Sequence, residues 1–174
     1  MPAQAAHALS PNPTSVVLTV ADLGFDALTA LLAGDGLRLV LHPDAAAIPG
    51  SFWGEPEAGI IGDTLHARTD TPIHSLLHEA AHVLVARAAG RRNLHTNASD
   101  STIEEDASLY LQLLMAGQWP GVGHVRIAQD MDAWGYTFRL GSAAAWFADD
   151  ADDARAWLTQ HGLYPRADVG NGDI

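Results

Sequence analysis

The chain has 174 residues, a formal net charge of −12, nine arginines, no lysine and no cysteine. Its 48% apolar and 17% charged content is that of a globular protein long enough to bury a proper core, and a single domain over 15–165 is expected. The acidic balance speaks against nucleic acid or an anionic membrane as a partner, and the lack of cysteine excludes disulfides and thiolate-bound metals. No run is long and apolar enough to span a membrane. The first fifteen residues lack the basic and apolar regions of a signal peptide, so a cytoplasmic protein is expected.

In chain order, residues 1–14 are rich in Pro and Ala and are expected to be loose, as is the tail 166–174. Ser15–Ala21 is apolar and β-branched, which predicts a strand. Asp22–Ala33 carries leucines at helical spacing before Gly34 and predicts a helix. Leu37–His42 predicts a second strand, ended by Pro43. Residues 43–57 hold three prolines and two glycines and predict a loop. Phe52 and Trp53 within it are expected to plug the core, with a substrate-contacting loop as the alternative. Ala58–Ala67 predicts a third strand, with Gly62 at a bulge.

Ile73–Arg87 predicts the helix around which the remainder is organised. Thr71 and Pro72 suit its start, and Gly90 its end. Leu76, Leu77, Ala80 and Leu84 make an apolar face; His74, His78 and His82 form a stripe roughly opposite. Ser101–Ala116 predicts another helix, with Ser101 and Glu104 as a capping box. Val122–Trp134, Ser142–Phe147 and Ala151–His161 predict three more, and Gly135–Leu140 reads as a short strand or a turn. Together these segments predict an α+β fold. A small sheet of three or slightly more strands packs on the His-bearing helix and the helix after it, with a mostly helical C-terminal part.

The stripe contains His78-Glu79-Ala80-Ala81-His82. Helix positions four apart lie about 40° apart around the axis. Two imidazoles so placed can bind one Zn²⁺, with Glu79 as general base toward water. Nine His and five Glu placed at random in 174 residues give on the order of 0.01 such motifs, so accident is a poor explanation. A solvated pair of surface histidines is the plain alternative. Imidazole and carboxylate ligands also suit Co²⁺ or Ni²⁺.

A catalytic zinc site usually has a third protein ligand. Val85 and Ala88 stand where the elongated metzincin motif needs Gly and His, so the ligand must come from elsewhere. Glu104, Glu105 and Asp106 lie on the following helix. Angles around that helix put Glu104 beside a core face centred on Ile103, Ala107, Tyr110 and Leu114, and Glu105 nearly opposite it. Glu104 is therefore the expected ligand, with Glu105, Asp106 and His95 as alternatives. His74 is left outside the metal set, as a hydrogen-bonded His, a cleft wall or an extra ligand. His66 is similarly open.

HEAAH, followed after 21 residues by Glu104 and then by Ala107 and Ser108, resembles the gluzincin metallopeptidases, most closely their short, minimal members. The resemblance covers residues 58–116. It implies one Zn²⁺ on His78, His82 and Glu104, water activated by Glu79, and a peptide or protein substrate paired with the strand before the helix, here Ala58–Ala67. Ser108 departs from the Asp or Asn usual at its position. In that family oxyanion donors lie downstream of the third ligand, where this chain has His124, Tyr136 and Arg139; Tyr136, in a polar and aromatic stretch, is the one selected. The activity so implied is a zinc-dependent, peptidase-like hydrolase. The alternative is a metal-bound peptide-binding or regulatory module of weak or no catalytic activity.

Overall fold

A computed structural model describes residues 16–95, 99 and 101–166. The expected loose segments 1–14 and 166–174 lie outside these, apart from Arg166. In chain order come α1 (Val20–Leu23), α2 (Phe25–Gly34), β1 (Arg38–Leu41), β2 (Gly59–Ile61), β3 (Thr64–Ala67), α3 (Ile73–Ala88), α4 (Thr102–Gln118), α5 (His124–Trp134), α6 (Ala143–Asp149) and α7 (Asp152–Gln160). The fold is α+β, as expected. The sheet runs β1-β3-β2, with β1 parallel and β2 antiparallel to β3. Among the described residues no helix is long and apolar enough to cross a membrane.

The sheet keeps its three strands, but one comes from a different place. Val16–Leu18 joins no strand. Asp22 accepts from both the amide and the hydroxyl of Thr19, which turns the backbone into α1 at Val20. The segment docks on residues 69–73 instead, through Val20 N–H to the Thr71 carbonyl and Ile73 N–H to the Leu18 carbonyl. Ala58–Ala67 is a hairpin rather than one strand. Gly62, with φ of 62°, opens a two-residue turn, so the sequence feature read as a bulge reverses the chain. Gly135–Leu140 is a turn. The start of α3 slips by one residue, with Pro72 at its N-cap, while Thr71 Oγ1 accepts from the Arg68 amide.

Loop 43–57 does not plug the core. Phe52 and Trp53 are 55% and 56% exposed and pack edge-to-face on each other at 4.9 Å. The loop instead lies along the outer edge of β2, with Ser51 bridging Gly59; on the same edge His95 bridges Ile61. That contact is backbone on backbone. A Cβ on Gly59 would meet the Pro49 carbonyl oxygen at 2.0 Å, and one on Gly50 the Ile60 oxygen at 2.3 Å.

Helix α3 is buried on nearly all sides. Leu76, Leu77, Ala80 and Val83 share one core with Leu39, Ile60 and Leu65 of the sheet. Its histidine side is covered by α4 and α5. Helix α4 is likewise buried around most of its circumference, packed against α3, α5 and α7. Gly90, with φ of 81°, ends α3 and turns the chain toward α4.

The glycine contact at the β2 edge yields a direct test. Gly59→Ala is expected to cost about 2–3 kcal/mol in urea unfolding, because rigid backbone has to move. Gly117→Ala is the control: its Cβ would meet nothing nearer than His124 Nδ1 at 3.8 Å. It is expected to be neutral or stabilising by up to about 1 kcal/mol.

Candidate metal centre

His78 and His82 stand one turn apart on α3, and their Nε2 atoms approach to 2.9 Å. The hydrogen-bond donors and acceptors around them fix both tautomers. Gln112 Nε2 donates to the His74 carbonyl at 2.8 Å, which can only accept. The amide is thereby oriented, so Gln112 Oε1 faces His78 Nδ1 at 3.1 Å and that nitrogen must carry the proton. Ser99 spends its hydroxyl proton on Glu105 Oε2 at 2.9 Å, so it accepts from His82 Nδ1 at 3.1 Å. Both neutral rings therefore turn bare Nε2 lone pairs toward each other. Lone pairs this close require a cation between them, either a proton or a metal ion.

Glu105 supplies the matching charge. Its Oε1 lies 3.2 Å from His78 Nε2 and its Oε2 3.4 Å from His82 Nε2. These three side chains can offer one ligand atom each, all within 4.8 Å of one another. Two imidazoles and a carboxylate, each with a second hydrogen-bonded partner, suit one divalent ion and leave a coordination position for water or substrate. The identity of the ion is left open by such a set.

The third member of the group is thus Glu105 in place of the expected Glu104. Glu104 is gripped by Arg91, at 2.6 Å, and its amide is capped by Ser101. The apolar pattern of α4 in the sequence marks a single core face. Because α4 is buried around most of its circumference, it has a separate face for each neighbour, and Glu105 shares the one toward α3 with Gln112, seven residues on. Asp106 does not join the group; it lies in a small pocket with Trp146, Asp150 and Asp153. Burial, with the charges of Glu105, Asp153 and Asp150, pushes it up to about 6. His95 sits at the far edge of β2. Ser108 donates to the Glu104 carbonyl and does not touch His78; Gln112 takes that position.

The charges of the site follow from burial. Desolvation alone would keep His78 neutral. The charge and hydrogen bond of Glu105, with Glu79 and Gln112, outweigh it and raise His78 to about 9. His82, desolvated and next to that cation, falls to about 3. One proton is thus held between the two rings. Burial alone would raise Glu105, but the charge and hydrogen bond of His78, the charge of His82 and the hydrogen bond from Ser99 overcome it and hold the carboxyl well below the usual carboxylate range. Glu79 rises to about 8 because it is desolvated and near Glu105 and Glu57, against the pull of His78. Its carboxylate has no hydrogen-bond partner among the described residues.

Aromatic rings wall the stripe. His74 is fully buried 5.2 Å from Trp134 and 5.5 Å from Tyr136, with no hydrogen-bond partner for either ring nitrogen among the described residues. Burial, then the His78 charge, lowers it to about 3. Tyr136 is also 6.3 Å from His78. Of the downstream candidates it alone is at the site: His124 packs near Phe147, and Arg139 pairs with Asp150. Glu57, just before β2, accepts the Trp134 indole N–H at 2.8 Å, and burial raises it. His66 pairs with His42 at 2.8 Å on the sheet, apart from this group.

Sequence reasoning missed Gln112, Ser99 and Glu57. Gln112 had a signal, a lone amide amid Tyr110-Leu111-Gln112-Leu113-Leu114. Ser99 and Glu57 had none, since loops carry them in from distant positions. Searches of protein-family models, curated proteins and solved structures return no match to this chain. The likeness to gluzincins therefore rests on the His78, Glu79 and His82 motif and an acid of the next helix.

Two outcomes test the centre. Glu105→Gln is expected to weaken Zn²⁺ binding by more than about a hundredfold, whereas Glu104→Gln leaves it within about tenfold and lowers stability. Because a metal ion must displace the proton on His78, apparent affinity rises with pH and levels off near 9. Competition with a chromophoric chelator at pH 6, 7 and 8 should show about a tenfold gain per unit.

Proposed function

We propose that this protein is a zinc-dependent hydrolase of the peptidase type. The observation that carries the reading is the pair of Nε2 lone pairs facing each other beside Glu105, with Glu79 one residue along α3 from His78. His78, His82 and Glu105 would hold a divalent ion, which would supply Lewis acidity toward a carbonyl, acidify water and favour the ionised form of Glu79 against desolvation. Glu79, with no competing hydrogen bond among the described residues, takes the proton of the attacking water and returns it to the leaving amine. Tyr136, beside His74 and His78, donates its phenol proton in a hydrogen bond to the developing oxyanion. Burial, with the charges of Glu57, Glu79 and Glu105, raises its pKa well above the ordinary value, so it remains a donor.

A second reading is a metal-bound peptide-binding or regulatory module. It is favoured by the burial of the site, where Glu79 and His82 are only 9% and 7% exposed. Turnover separates the two. With a peptide library and zinc-loaded protein, Glu79→Gln is expected to keep the metal and lose activity by about 10²–10⁴-fold. Tyr136→Phe is expected to lower kcat by about 10–10³-fold with KM little changed. Zinc-loaded wild type that cleaves no peptide, or a Glu79→Gln variant as active as wild type, would sink the hydrolase reading.

A further inference from the structure

Seven of the nine arginines are paired with a carboxylate: Arg68 with Asp70, Arg87 with Asp63, Arg91 with Glu104, Arg126 with Asp130, Arg139 with Asp150, Arg155 with Asp152 and Arg166 with Asp35. The two without a carboxylate partner among the described residues, Arg38 and Arg92, line one open cleft of about 380 Å³ together with His95. In a chain of net charge −12 such a convergence runs against the overall field. The single acid among the described residues of the cleft, Asp63, already holds Arg87 at 2.9 Å. Two like charges thus line one concavity with no counter-charge of their own among the described residues, an arrangement that an anion relieves.

The frame of the cleft is fixed by the backbone. Arg38 begins β1, its amide donating to the Asp63 carbonyl at 3.0 Å. The hairpin turn at Gly62 donates to the Leu94 carbonyl at 2.7 Å, and His95 bridges Ile61. The strand side and the 92–95 side are thereby tied together, and the guanidinium groups project from anchored chain. Ile61 and Leu94 add apolar surface beside them. The volume is that of a small-ligand site.

We infer that this cleft binds a small oxyanion, a carboxylate or phosphate, between the guanidinium groups of Arg38 and Arg92. Guanidinium forks match both headgroups in bidentate fashion, and Ile61 and Leu94 accommodate an apolar portion of the same molecule. The inference does not rest on the hydrolase reading, because its residues are not those of the metal centre.

The test is calorimetric titration of the full chain at 50 mM NaCl with inorganic phosphate and, separately, citrate. Saturable one-to-one binding of at least one probe is expected, and the preferred probe tells phosphate from carboxylate. Arg38→Gln/Arg92→Gln should bind at least about tenfold more weakly, and Arg38→Lys/Arg92→Lys at an intermediate level. His78→Ala/His82→Ala should bind like wild type, and 0.5 M NaCl should weaken binding throughout. Both arginines are exposed, so the glutamine variants are expected to keep the wild-type circular dichroism; should the double variant misfold, each single substitution reads the same loss. The inference is overturned if neither probe binds saturably, if the arginine variants bind as well as wild type, or if binding is lost only in the histidine variant.

Discussion

Two imidazole nitrogens held 2.9 Å apart in a buried site, with a cation required between them, are the constraint on which the rest of the arrangement depends. Neither ring can turn away. His78 is held through Gln112 by the His74 carbonyl, and His82 through Ser99 by Glu105. The demand for a cation is therefore set by tautomers that distant groups impose, rather than by the motif alone. Helix α3 provides the spacing of the rings, and α4 provides both Gln112 and the balancing carboxylate. The close packing of these two helices is what turns a sequence pattern into a centre.

Such a centre opposes folding. Glu57, Glu79, Glu105, Tyr136 and His74, which has no hydrogen-bond partner among the described residues, crowd a region of low dielectric, where each charged form is costly and each unmet polar atom is too. The core around it offsets that cost. Sheet, α3 and α4 share one continuous set of buried apolar residues, from Leu39 and Leu65 through Leu77 to Leu111 and Met115. A site of this kind needs a frame that does not yield when its charges are changed, and a helix buried on nearly every side supplies one.

Much of this was legible in the sequence. The α+β class, the main helices and the His78, Glu79, His82 motif all followed from periodicity, capping residues and spacing. What failed did so for identifiable reasons. Glu104 and Glu105 are neighbours, and choosing between them needed the number of faces α4 buries, which depends on its partners and not on its own pattern. Ser99 and Glu57 reach the site from loops, where no period exists to read. The run Val16–Leu18 has strand composition, yet the Thr19–Asp22 cap decides its fate, a local side-chain bond overriding propensity. Gly62 was seen as special and assigned the wrong distortion, since a bulge and a tight turn both call for positive φ.

The glycine-on-glycine approach at the β2 edge carries a consequence for recognition. An exposed strand edge is a template on which any extended peptide can continue the sheet. Here Gly50 and Ser51 lie against Ile60 and Gly59, and His95 lies against Ile61, so the main-chain groups on that side are already engaged by the molecule's own backbone. That edge of β2 is thereby shielded from pairing with a second copy. A peptide that added to β2 as a further strand would first have to displace the segment carrying Phe52 and Trp53, which makes admission conditional on a rearrangement and selectivity a property of that exchange.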